Sequence, residues 1–169
     1  MRAAILTVSD SAAAGEQADL SGPLMRELIE AAGGEVVRAD VLPDDRDAIA
    51  AWLRHVADEK GVDLALTSGG TGLAPRDVTP EATLAVLDRQ APGIAEALRA
   101  AGLTKTPRAM LSRGVAGVRK GTLVVNLSGS PKAVREQWEA FLPVVQHATD
   151  TVRGEGAHPD TDRLRGAEP

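Results

Sequence analysis

The chain contains no cysteine. That excludes thiol nucleophiles, thiolate zinc sites, cysteine-ligated iron–sulfur clusters and disulfide scaffolds. It also has no tyrosine, one phenylalanine and two tryptophans, and its 24 acidic residues outnumber 19 basic ones for a net charge of −5. So few stacking rings on an acidic chain argue against a nucleic-acid surface. Long apolar runs are missing too: the early run over residues 3–6 is too short for a secretory signal or a membrane span. Together these absences lead us to expect a cytoplasmic protein in a reducing compartment. His55, His147 and His158 show no metal-ligand spacing.

What is present is ordinary globular material: 169 residues, 43% hydrophobic and 25% charged. A chain of this length buries roughly 70% of its unfolded surface without a staple. Apolar runs at Arg2–Val8, Glu35–Leu42, 63–67, 115–119 and Thr122–Leu127 read as strands. Residues 11–20 read as a loop. Helical periodicity follows Ser21-Gly22-Pro23 up to Gly33, runs from the N-cap Asp45 to about residue 60, and recurs over 94–101. Thr79-Pro80-Glu81 reads as a helix start with a hydroxyl N-cap, ending near Arg89. Ser130-Pro131 opens a last helix, which Pro143 should kink. Trp52 and Trp138, at helical spacing, read as core or subunit-contact residues. Residues 1–153 are expected to form one domain and 154–169 a disordered acidic tail. Alternating strands and helices imply an α/β fold on a mostly parallel sheet, with ligands beyond the carboxyl ends of its strands.

The loops after the first, third and last strands are the richest in Gly, Ser and Asp. Ser68-Gly69-Gly70-Thr71-Gly72 can cradle an anion with backbone N–H groups or be a plain flexible turn; it is neither a Walker loop nor a dinucleotide fingerprint. Asp77 either favours the positive end of the following helix or ligates magnesium beside a phosphate loop. Asp44 poses the same choice: with Asp45 as N-cap, it is either a plain turn carboxylate or the one more exposed to a site. At the Asn126–Lys132 turn, Ser130, Pro131 and Lys132 either cap a helix or seat an anion. Ser112-Arg113 adds a cation nearby.

Taken in order, Leu6-Thr7-Val8-Ser9-Asp10, Asp19-Leu20-Ser21-Gly22-Pro23, Leu42-Pro43-Asp44, Thr67-Ser68-Gly69-Gly70-Thr71-Gly72, Pro75-Arg76-Asp77-Val78-Thr79-Pro80, Leu111-Ser112-Arg113 and Asn126-Leu127-Ser128-Gly129-Ser130-Pro131 resemble the MogA/MoaB family. These are molybdopterin adenylyltransferases and relatives in molybdenum cofactor biosynthesis, with the gephyrin G domain among them. The resemblance spans about residues 3–150. It implies a three-layer α/β/α fold, usually trimeric, and transfer of AMP from ATP to molybdopterin with release of pyrophosphate. It further implies Asp77 and Asp44 as catalytic acids acting through Mg2+. Gly69, Gly70, Thr71 and Gly72, with Ser68, would hold nucleotide; Ser112, Arg113, Asn126, Gly129, Ser130, Pro131 and Lys132 would hold the pterin and its phosphate. A metal-insertion protein is an implied partner. A non-catalytic molybdopterin binder of the same pathway is the alternative. Ser128 departs from the family's usual Pro. The choice between molybdenum and tungsten stays open.

Overall fold

The computed structural model describes residues 1–59 and 61–155. Its first strand, β1 (Arg2–Val8), is flanked by β2 (Glu35–Leu42) and β3 (Leu64–Ser68), and β6 (Thr122–Leu127) lies beyond β3. These four run parallel. β5 (Ala116–Arg119) returns antiparallel beside β6, and the two-residue β4 (Arg89–Gln90) closes that edge. The sheet order is β2-β1-β3-β6-β5-β4.

Side chains alternate across a strand, so a strand covered on both faces must be apolar throughout. β1, β3 and β6 are largely so, and their alternate residues feed two cores. Ala3, Ile5, Leu64 and Leu66 pack under α2 (Ser21–Ala31), α5 (Pro92–Leu103) and α6 (Pro131–Arg153). Ala4, Leu6, Val8 and Ala65 pack under α3 (Arg46–Asp58) and α4 (Thr79–Leu84). This is the expected three-layer arrangement. Trp138 is a core residue, edge-on to Phe141 with ring centroids 6.2 Å apart. Trp52 is buried in the other core, its indole N–H donating to Asp40 at 2.7 Å.

Several local expectations need correction. The segment read as a loop over 11–20 begins with a short helix, α1 (Asp10–Ala13), capped by the Ser9 hydroxyl. α2 starts at Ser21, as read, and the Asp19 carboxylate accepts from the backbone N–H of Ser21 and Gly22. Thr79 is inside α4 rather than its cap: Val78 is the capping residue and the Thr79 hydroxyl is buried without a partner among the described residues. α4 ends at Leu84, well short of Arg89, which pairs in the sheet instead. Pro107–Leu111 forms an unforeseen 3-10 turn. α6, as expected, contains Pro143 within its 23 residues. Gly33 at φ +77° ends α2 and Asp45 caps α3, both as read from the sequence. Of the expected tail, only Gly154 and Glu155 fall within the described residues.

At the amino-terminal end of the sheet, buried Asp63 joins the two ends of the fold. It accepts from the Arg2 backbone N–H at 2.6 Å and from the Arg153 guanidinium at 2.8 Å.

Candidate active site

β1, β3 and β6 are parallel neighbours, so their carboxyl ends deliver three loops to one place. A cleft of about 350 Å3 opens there, lined among others by Ser9, Asp19, Asp44, Ser68, Gly69 and Pro131. A second cavity of about 310 Å3 lies alongside, lined by Thr71, Gly72, Arg108, Ser112 and Ser128. Gly70, Asp77 and Gly129 border both. A cavity of about 390 Å3 lies at the opposite end of the sheet, but its cations are already paired, Lys120 with Asp58 and Arg153 with Asp63.

The glycine loop is shaped by close backbone approach. Gly69 and Gly70 have φ of +103° and +60°. A Cβ on Gly69 would run into the Val8 carbonyl, and one on Gly70 into the Thr79 hydroxyl and, at 2.8 Å, Asp44 Oδ1. Gly69 N–H donates to the Leu127 carbonyl at 3.3 Å and Ser68 Oγ to the Ser128 carbonyl at 3.0 Å. These bonds fasten the β3 and β6 loops together. Gly69 N–H is therefore already engaged, and any anion cradle must use other groups of the loop.

Asp10, Asp44 and Asp77 crowd one part of this end. Asp10 and Asp44 exchange bonds: Asp44 N–H donates to Asp10 Oδ1 at 3.0 Å and Asp10 N–H to Asp44 Oδ2 at 3.1 Å. Arg76 grips Asp10 with two nitrogens, at 2.7 and 3.0 Å, which holds that carboxyl below its usual range. Asp44 goes the other way. Burial pushes its pKa up, and the like charges of Asp10 and Asp77 add to the rise, against the backbone bond from Asp10. Asp77 Oδ2 accepts from Ala74 N–H at 2.7 Å. Among the described residues, no group of three or more His, Asp or Glu side chains is arranged to hold a metal by itself.

The remaining sequence-selected residues divide. Ser112 lines the second cavity and Pro131 the first. Ser130 caps α6 by accepting from Ala133 N–H. Lys132 stands on the exposed side of that helix, 3.9 Å from Glu136. Asn126 is buried in the wall, donating to Thr67 and Thr83 and accepting from Val115 N–H. Arg113 borders neither cavity. Ser9, Asp10, Asp19, Arg76 and Arg108 have no role in the sequence reading, although Ser9-Asp10, Asp19 and Arg76 stand in the motifs quoted there. For Ser9 and Asp10 the available signal is placement after the first strand; Arg108 offers none, because the 3-10 turn that carries it leaves no mark in the sequence pattern.

The chain matches the family described as a probable molybdopterin binding domain over residues 4–147. It is 39% identical over 152 residues to a molybdopterin adenylyltransferase of Helicobacter pylori, covering 89% of this chain and 86% of that one. It is 38% identical to the molybdenum cofactor synthesis protein cinnamon of Drosophila melanogaster, where the match covers 88% of this chain and only 25% of that much longer one. The crystal structure of the molybdopterin biosynthesis enzyme MoaB from Thermus thermophilus superposes with a TM-score of 0.86 at 54% identity, covering 90% of this chain and 96% of that one. Architecture and sequence agree along nearly the whole described length, and the chain belongs to the molybdopterin-binding domain family.

Proposed function

We propose that this protein transfers the adenylyl group of ATP to the terminal phosphate of molybdopterin. The observation that carries this reading is the position of Asp77 on the border of two adjoining cavities, with Asp44 lining one of them. Two anionic substrates entering from either side of the glycine loop would meet there. A molybdopterin phosphate oxygen bonds to the α-phosphorus of ATP, the bond to the β-phosphate bridging oxygen breaks, and pyrophosphate leaves with the electron pair. The nucleophile is already an anion, so no side chain must take a proton; positioning and charge neutralisation suffice.

The donor set fits a divalent cation. Asp44 Oδ2 and Asp77 Oδ2 accept backbone bonds, which leaves the second oxygen of each carboxylate to face a cation. Mutual repulsion with Asp10 and Asp77 leaves Asp44 short of positive charge. Mg2+ is commonly held by one or two carboxylates together with substrate phosphates. Bound by Asp44 and Asp77, it would neutralise the triphosphate. Gly70, Thr71 and Gly72 border the reacting groups, Ser68, Gly129 and Pro131 shape the first cavity, and Ser112 meets the ligand in the second. Asn126, Ser130 and Lys132 fix or flank the β6 turn. By the same family resemblance, we propose a homotrimer that hands its product to a metal-insertion protein; light scattering of the purified chain checks the first part.

The test is one anaerobic reaction of protein, molybdopterin, ATP and Mg2+, read by mass for adenylylated molybdopterin and pyrophosphate. Asp77→Asn is expected to lower kcat by roughly 10²–10³-fold while both substrates still bind. Molybdopterin bound tightly but never adenylylated would favour the binder instead.

A further inference from the structure

Arg113 is read from the sequence as a substrate cation, yet its side chain is turned into the loop that carries Asp77. Its backbone N–H donates to the Thr71 carbonyl at 2.8 Å. Nε donates to the Gly72 carbonyl at 2.7 Å, Nη2 to the Asp77 carbonyl at 2.6 Å, and Nη1 pairs with Glu81. All four acceptors lie between Thr71 and the first turn of α4, on both limbs of one loop. Within that loop, the local bonds around Asp77 are those it exchanges with Ala74. Thr79 N–H reaches back to the Gly70 carbonyl at 3.0 Å. The neighbouring backbone is anchored as well, since Arg99 donates to the Gly114 carbonyl at 2.7 Å.

We infer that Arg113 is the positioning residue of Asp77: its guanidinium ties the Gly72 and Asp77 carbonyls together and sets where the Asp77 carboxylate stands between the two cavities. A planar guanidinium has donors fanned in one plane, which two carbonyls and a carboxylate can share. An ammonium is a single point and cannot span them. Glu81 holds the fork from the far side, and Arg113 in turn keeps the Glu81 carboxyl below its usual range. The inference rests on the proposed role of Asp77 in adenylyl transfer. It assigns Arg113 no contact with either substrate.

The experiment compares the wild-type chain with Arg113→Lys and Glu81→Gln, using steady-state adenylyl transfer and hydrogen–deuterium exchange. Arg113→Lys keeps the charge and loses the fork. Its kcat is expected to fall on the order of 10–100-fold, with KM for ATP and for molybdopterin within about threefold of wild type. Exchange at the Ala74 and Asp77 amides should quicken. Glu81→Gln should move the same readouts less far, and it carries the test if Arg113→Lys does not fold. A KM for either substrate raised about tenfold or more at unchanged kcat would make Arg113 a substrate ligand and overturn the inference. Unchanged kcat, or unchanged exchange at Ala74 and Asp77, would overturn it as well. If the wild-type chain transfers no adenylyl group, the proposed function fails, while exchange at those two amides still decides whether Arg113 holds the loop.

Discussion

Asp44 sits beside two like charges, and the fold bears a cost for keeping it there. A carboxyl whose native pKa is raised binds its proton more tightly in the folded state than in the unfolded one. Stability is therefore lost as pH rises from the ordinary carboxylate range through the raised native pKa. At neutral pH the ionised Asp44 is the strained form, so Asp44→Asn should raise the melting temperature of the ligand-free protein while it abolishes transfer; differential scanning calorimetry and the mass assay read the two effects. The same shift predicts the pH profile. If transfer needs Asp44 ionised, the acid limb of kcat/KM lies above the ordinary carboxylate range at low Mg2+ and moves to lower pH as Mg2+ is raised. An acid limb that ignores Mg2+ would separate Asp44 from the cation. Arg76 partly offsets the crowding, so Arg76→Gln should move the limb upward. Of these side chains, Asp44 and Asp77 are legible in the sequence because each stands in a short motif with a turn or helix start beside it. The turn of Arg113 into the loop is not, because its partners lie 32 to 41 positions away in the chain.

Among the elements, the glycine loop is the least tolerant. A methyl at Gly70 needs a left-handed backbone conformation and fills the gap between the Thr79 hydroxyl and Asp44. Gly70→Ala should cost on the order of 1–3 kcal/mol from the backbone conformation alone, seen as a lower urea midpoint, and should impair transfer in the fraction that folds. Element legibility followed physical strength. β1, β2 and β6 show in the sequence at their observed bounds because apolar content marks them without help from the rest of the fold. α1, β4 and the Pro107–Leu111 turn are too short to build a period; tertiary pairing makes them. α4 shows the same effect: Thr79-Pro80 announces a helix, but Asp88 N–H is taken by the Val118 carbonyl and Ala91 N–H by the Ala116 carbonyl, so the chain leaves the helix to join the sheet.

At the scale of the whole molecule, two anionic substrates must approach a chain of net charge −5 through an acid-lined cleft. Removing divalent cations with EDTA should weaken ATP binding by roughly tenfold or more and stop transfer. It should leave the circular dichroism unchanged, because the cores are built from apolar contacts on both faces of the sheet. A calorimetric titration of ATP with and without Mg2+ checks this. Sheet order could not be read from the sequence, since it depends on which parallel neighbours each strand finds, yet it decides that the three polar loops converge. The sheet also has a second pole. Arg2 and Arg153 both bind Asp63 there, so the start of β1 and the end of α6 stand side by side, a full strand's length from the cleft. One carboxylate thereby acts as a buckle, closing the first strand against the last helix on the side away from the candidate site.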